Sequence, residues 1–141
     1  NITQDVSILG YAATSALGTP TVTSTFTNFA ITVASGTNFY GTGNKFYVGG
    51  VVSPTLTLNE GQTFRFDQSD SSNSGHPLRF STTPNGTHAI GGTEYTTGVT
   101  TNGTPGNAGA YTQITVAVGA STLYYYCTNH SGMGGQINTP G

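Results

Sequence analysis

Hydrophobic residues recur at every second position along much of the chain, whereas the spacing typical of helices is nearly absent. The runs are Phe29, Ile31 and Val33; Leu56 and Leu58; Phe64 and Phe66; Leu78 and Phe80; Ile114, Val116 and Val118; and Leu123, Tyr125 and Cys127. Successive side chains of a β-strand point to opposite faces, so each run predicts a strand with one face against a core. By the same alternation Tyr124 and Tyr126 should lie on the face opposite Tyr125 and pack against an adjacent sheet or a partner.

Short segments rich in glycine and asparagine separate these runs and predict turns. They are Ser35-Gly36, Thr42-Gly43-Asn44, Gly49-Gly50, Asn59-Glu60-Gly61, Asn85-Gly86 and Val118-Gly119. About seven or eight short strands joined in this way predict an all-β fold, an antiparallel Greek-key β-sandwich.

The pattern is less regular at the start of the chain and in its second half. Residues 1–24 are rich in Thr, Ser and Ala, and we interpret them as an N-terminal arm or attachment segment that precedes a sandwich domain of residues 25–141. The polar stretch Pro84–Gly109 predicts a surface loop with a short strand near Glu94–Val99. The chain begins with Asn1 rather than Met, which suggests a processed protein or an excerpt.

Composition narrows the classes of function. Thr, Ser, Asn and Gly supply half of the 141 residues, charged residues only 6%, and the net charge is −2. Without a basic patch we expect no nucleic-acid binding, and without a long apolar stretch no insertion into a membrane. The five acidic residues are scattered singly, and no Ser-His-carboxylate group is evident. We therefore expect no enzymatic activity.

One short segment contains most of the candidate chemistry. The only cysteine and the only methionine, Cys127 and Met133, flank His130 in YYYCTNHSGMGG, and His76 lies upstream in SGHPLRFS. One thiolate, one thioether and two imidazoles form the donor set of trigonal copper sites with a weak axial sulfur. The set predicts a copper site, with zinc as the competing metal.

Each of these residues also has a simpler interpretation. A lone cysteine at the end of an aromatic strand is often a small buried apolar residue, and a lone methionine often fills a gap. The group can also be the inert remnant of a metal site. His88, in the long polar stretch, is interpreted as a surface histidine without a metal role.

The segment SPTLTLNEGQTFRF, the position of His76 and the loop YYYCTNHSGM together resemble the cupredoxins, the blue copper family that includes plastocyanin and amicyanin. The resemblance extends from about Phe29 to Ile137. It implies strong ligands at His76, Cys127 and His130, an axial ligand at Met133, and transfer of single electrons between Cu(I) and Cu(II). Many cupredoxins have an asparagine after the first histidine that ties the two ligand loops together, whereas this chain has Pro77.

Two functions remain open. The segments FDQSDSSNSGHPLRFS and LYYYCTNHSGMGG resemble modules in virion proteins of marine bacteriophages, especially cyanophages. With the uncharged surface, this favours a structural or display module of an extracellular assembly such as a virion or surface filament, with copper joining two loops. The alternative is a soluble electron carrier, periplasmic, with a redox partner protein. The scarcity of charge disfavours the carrier, because complementary charge commonly recruits such partners.

Overall fold

The computed structural model describes residues 25–141, and the predicted arm of residues 1–24 lies outside them. Within the described range, ten strands and two 3-10 helices form. They are β1 (Thr27–Asn38), β2 (Gly41–Val48), β3 (Val51–Val52), β4 (Leu56–Thr57), β5 (Thr63–Asp67), η1 (Ser71–Asn73), β6 (Leu78–Ser81), η2 (Gly86–His88), β7 (Val99–Asn102), β8 (Tyr111–Thr115), β9 (Leu123–Cys127) and β10 (Gly135–Asn138). The all-β prediction is confirmed, with more strands than the seven or eight expected. The two helices, of three residues each, are far too short and polar to cross a bilayer.

The strands form two sheets. One has six strands in the order β3-β2-β1-β5-β8-β7, and the other has four in the order β4-β10-β9-β6. Pairing between neighbouring strands is mostly antiparallel, with β1–β5 and β4–β10 as parallel pairs among residues 25–141. The chain passes repeatedly from one sheet to the other, so residues distant in sequence meet at the ends of the sandwich.

Alternating apolar residues from both sheets fill the space between them. Phe66 on β5 meets Phe80 on β6 edge to face, with 5.3 Å between ring centres, and it also packs against Tyr125 on β9. All three rings are at most 1% exposed. Burying a side chain of this size contributes about 1.5–3 kcal/mol, so this aromatic contact is a major link between the sheets.

The first hairpin differs from the prediction. Ser35-Gly36 and Thr42-Gly43-Asn44 were predicted as turns, but they lie inside β1 and β2, where Gly36 pairs with Gly43. The turn is at Phe39-Tyr40 instead. A β-carbon at Gly36 would come within 2.6 Å of the hydroxyl oxygen of Tyr47, so glycine gives this side chain room beside the strand.

The second half of the chain also differs in detail. β8 ends at Thr115, and Val118 is 86% exposed in a turn rather than in the core. The short strand predicted near Glu94–Val99 forms at Val99–Asn102, while Tyr95 makes a single bridge to Phe80.

Candidate metal centre

The pairing of β6 with β9 brings two of the predicted ligands together. Leu78 is the register partner of Cys127, and His76 lies two residues before Leu78. The backbone N–H of Thr128 donates to the carbonyl of Pro77 at 3.1 Å, which continues the contact beyond the strands. The thiol at the end of β9 therefore faces the loop that contains His76.

The donor atoms converge on the sulfur of Cys127. Its Sγ lies 3.7 Å from Nδ1 of His76 and 3.5 Å from Nδ1 of His130. The two imidazole centres are 4.6 Å apart. Sulfur and nitrogen donors bound to one ion, at bond lengths of about 2.3 and 2.0–2.1 Å and at tetrahedral to trigonal angles, are separated by about 3.5–3.8 Å. The geometry and the chemistry of His76, Cys127 and His130 thus fit a shared metal ion.

Met133 lies nearby in the same loop as His130. It is 1% exposed and belongs to the same buried cluster as Cys127. Its carbonyl oxygen accepts hydrogen bonds from the backbone N–H of Phe46 at 2.9 Å and from the hydroxyl of Ser53 at 3.1 Å. These contacts with β2 and with the segment after β3 fix the backbone that places the thioether.

The centre is closed on the sulfur side and open on the other. Cys127 is fully buried, His76 is partly buried and His130 is exposed. Because His130 turns Nδ1 toward the sulfur, its other ring nitrogen is on the outer side. The candidate centre therefore lies at the surface of one end of the sandwich, with one imidazole edge accessible.

Burial and neighbouring charge set the protonation states of the donors. Burial raises the pKa of the Cys127 thiol, and the backbone N–H groups of Asn129 and His130 partly oppose this increase. Burial, with the charge of His130 second, lowers the pKa of His76. The metal-free site thus favours a neutral His76 imidazole and a protonated thiol, and a metal must displace the thiol proton.

Two buried polar residues hold the loop that contains His76. Gln68 donates to the carbonyl of His76 at 2.7 Å and accepts from the backbone N–H of Leu78 at 2.9 Å. Asn73 accepts from the backbone N–H of His76 at 2.8 Å through its carbonyl and from Gln68 through its side chain. Gln68 and Asn73 are at most 1% exposed. Sequence reasoning did not identify them, because they lie in a polar, loop-like segment without hydrophobic periodicity.

A hydrogen bond connects the two loops that contain the candidate ligands, although the residue after His76 is Pro77 rather than an asparagine. The side-chain amide of Asn129 donates to the carbonyl of Gly75 at 3.0 Å. This bond joins the loop after β9 to the residue that precedes His76. The two loops are therefore connected by a side chain of the loop after β9.

The segment between His130 and Met133 is held from several sides. The carbonyl of Gly132 accepts from the ammonium of Lys45 at 2.7 Å and from the amide of Asn38 at 2.9 Å. The N–H of Gly132 donates to the side chain of Asn85 at 2.8 Å. Gly132 has a φ of +83°, a conformation that favours glycine.

The interpretation of His88 as a surface residue is incomplete. The residue is exposed, but its Nε2 lies 2.7 Å from the carbonyl oxygen of Cys127. A carbonyl only accepts, so Nε2 carries the hydrogen. His88 is not one of the clustered donors; it contacts the backbone of one of them. The polar context of His88 contained no signal for this contact.

Tyr126 lies on the face opposite Tyr125, as alternation predicts, but it is 1% exposed and does not face a free surface. The η2 segment covers it: a β-carbon at Gly86 would overlap the Tyr126 ring, and the His88 ring meets it edge-on at 6.1 Å. The η2 part of the predicted surface loop 84–109 therefore packs on β9, close to the candidate centre.

No protein-family model matches the chain, and no curated protein has a significant match to it. The β-rich fold and the clustered His76, Cys127 and His130 with Met133 nearby are compatible with a cupredoxin-like fold.

Proposed function

We propose that this chain is a cupredoxin-like module that binds one copper ion through His76, Cys127 and His130, with Met133 as the axial ligand. The convergence of two Nδ1 atoms on the single cysteine sulfur, at 3.7 and 3.5 Å, is the observation on which this proposal depends. A thiolate and a thioether are soft donors that favour copper, and zinc is the competitor at a four-coordinate site. When bound, copper supplies a one-electron change between Cu(I) and Cu(II).

The biological role that we propose is structural: a display module of an extracellular assembly such as a phage virion or a surface filament. The ligands come from two separate segments, one before β6 and one that starts at the last residue of β9, so a bound ion would join them. A ligand that binds the folded form alone stabilises that form. The sparsely charged composition supports a module that contacts further copies of the chain or a larger surface complex.

A soluble electron carrier is the second candidate, with a periplasmic location and a redox partner protein. The aromatic side chains beside the exposed imidazole of His130 favour this electron-carrier function. His130 is exposed, and the Gly132 backbone beside it lies against Tyr40, which is 38% exposed next to the fully accessible ring of Phe39. An uncharged aromatic surface beside an accessible imidazole can dock a partner without complementary charge.

Under either role, four protein ligands leave no open position for a substrate, so we propose no enzymatic activity.

Metal titration of the full chain tests copper binding. We expect one Cu(II) per chain by native mass spectrometry, with an intense visible absorption band from the copper–thiolate bond. Zn²⁺ should compete for the same stoichiometric site without giving colour. Met133→Leu should retain copper and change its reduction potential. A wild-type protein that stays colourless with excess Cu(II) would refute the proposal.

Assembly and electron-exchange measurements on the copper form distinguish the two roles. Stable self-association in sedimentation experiments, with slow exchange with a small redox partner, supports the structural module. A monomer that exchanges electrons rapidly with the same partner supports the carrier.

A further inference from the structure

Lys45 on β2 is a buried cation in a protein with three Lys and Arg residues in total. Its side chain is almost completely enclosed, since the residue is 3% exposed. Among residues 25–141 the one ion pair is Arg79 with Glu94, so no carboxylate of the described residues neutralises Lys45. A buried ammonium without a partner carboxylate is costly, and burial lowers the pKa of Lys45. The free-energy cost of burying Lys45 suggests that its charge has a function.

The ammonium is directed at the loop that contains two of the proposed ligands. Nζ donates to the carbonyl of Gly132 at 2.7 Å, and Gly132 lies between His130 and Met133. The next residue on β2, Phe46, donates its backbone N–H to the carbonyl of Met133 at 2.9 Å. Lys45 and His130 also line the same surface cleft. Lys45 and Phe46, which are consecutive on β2, therefore bind the backbone carbonyls of Gly132 and of the proposed ligand Met133.

We propose that Lys45 is a positioning residue of the metal centre whose charge favours Cu(I) over Cu(II). This inference rests on the proposed copper site and adds a determinant of its potential. A positive charge opposes the more highly charged oxidation state of a nearby ion, and the shielding of Lys45 from water strengthens the effect. The hydrogen bond to Gly132 has a different effect, because it orders the loop equally for both oxidation states.

Asn38 provides a matched control for these two effects. Its amide donates to the same carbonyl of Gly132, at 2.9 Å, but is neutral. Replacing Asn38 by Ala removes a hydrogen bond to the Gly132 carbonyl but leaves the positive charge of Lys45 in place. Replacement of Lys45 by Gln removes the charge and keeps an amide donor, whereas replacement by Met removes both charge and donor.

The experiment measures Cu(I) and Cu(II) dissociation constants by competition with chelators for the wild-type chain and for Lys45→Gln, Lys45→Met, Lys45→Arg and Asn38→Ala. The melting temperature of each metal-free protein is measured in parallel. Loss of the charge should raise the preference for Cu(II) over Cu(I) about tenfold, which lowers the potential by about 59 mV for one electron. Lys45→Arg and Asn38→Ala should stay within about threefold of wild type, although Asn38→Ala should melt at a lower temperature.

An unchanged Cu(I)/Cu(II) preference in Lys45→Gln, or an equal shift in Asn38→Ala, overturns the inference and leaves copper binding intact. If Lys45→Met does not fold, Lys45→Gln and Lys45→Arg still separate charge from hydrogen bonding. A wild type that binds neither oxidation state of copper refutes the proposed function itself.

Discussion

The imidazole of His88 donates a hydrogen bond to the backbone carbonyl of Cys127, with 2.7 Å between Nε2 and oxygen. The bond joins η2, in a segment that sequence reasoning assigned to a surface loop, to the last residue of β9. It holds the backbone of the cysteine whose sulfur is a proposed ligand.

Loss of the His88 hydrogen bond should destabilise the end of β9. We expect His88→Leu to lower the free energy of unfolding of the metal-free protein by about 1 kcal/mol, the usual net contribution of one hydrogen bond. His88→Gln, which retains a donor, should lose less. Urea denaturation measures both, and the visible band of the copper form should shift in the Leu variant. Identical unfolding curves and spectra for wild type and Leu variant would show that the contact is incidental.

Replacement of the cysteine tests the sulfur donor directly. Cys127→Ser should abolish the intense copper–thiolate absorption while the far-UV circular dichroism stays that of a β-sandwich. The hydroxyl is smaller and buried, so the free energy of unfolding should fall by about 1–2 kcal/mol. A Ser variant that keeps the band would exclude Cys127 as a ligand.

Metal affinity should depend on pH with a defined sign. Because the pKa of the Cys127 thiol is raised by burial, the metal-free protein keeps this proton at neutral pH. The pKa of His76 is lowered, so that imidazole is already deprotonated there. Binding then releases the thiol proton, and the association constant should rise about tenfold per pH unit between about pH 7 and pH 8.

Isothermal titration calorimetry with Zn²⁺ in buffers of different ionisation enthalpy measures this proton release. The matched control is Cys127→Ser, which has no thiol proton to release and should show a flatter dependence. Affinity that is independent of pH in the wild type would contradict the assignment of the thiol as a donor.

Gly134 is predicted to be intolerant of any side chain. A β-carbon there would overlap the carbonyl oxygen of Tyr125 in β9, which is backbone and cannot move aside. Gly134→Ala should therefore cost about 3 kcal/mol or more and displace the adjacent Met133. Gly135→Ala is the comparison: a β-carbon there would lie 2.9 Å from the Tyr125 hydroxyl and 3.0 Å from the carbonyl oxygens of Ser53 and Pro54, which is a much smaller overlap. Thermal unfolding should show the larger loss at Gly134, and equal losses would contradict this steric argument.

Sequence reasoning recovered most of the fold because alternation is a local property. Ile31, Phe66, Phe80, Tyr125 and most of the other alternating residues are buried as predicted. The failures have local causes too. Gly36 and Gly43 have the composition of a turn but pair with each other inside β1 and β2. Val118 continues an apolar run beyond the point where its strand ends and is exposed.

By itself, the amino-acid sequence determined the fold class and the choice of four candidate donors, because strand periodicity and rare ligand residues are visible in one dimension. The tertiary structure alone decided that His76, Cys127 and His130 converge, through the register of β6 against β9. It also decided which polar residues support them. Lys45 and Gly132 are separated by 87 positions, and His88 and Cys127 by 39. In both hydrogen bonds a side chain donates to a backbone carbonyl. Because every residue has such a carbonyl, no sequence pattern shows which one Lys45 or His88 will contact in the folded chain.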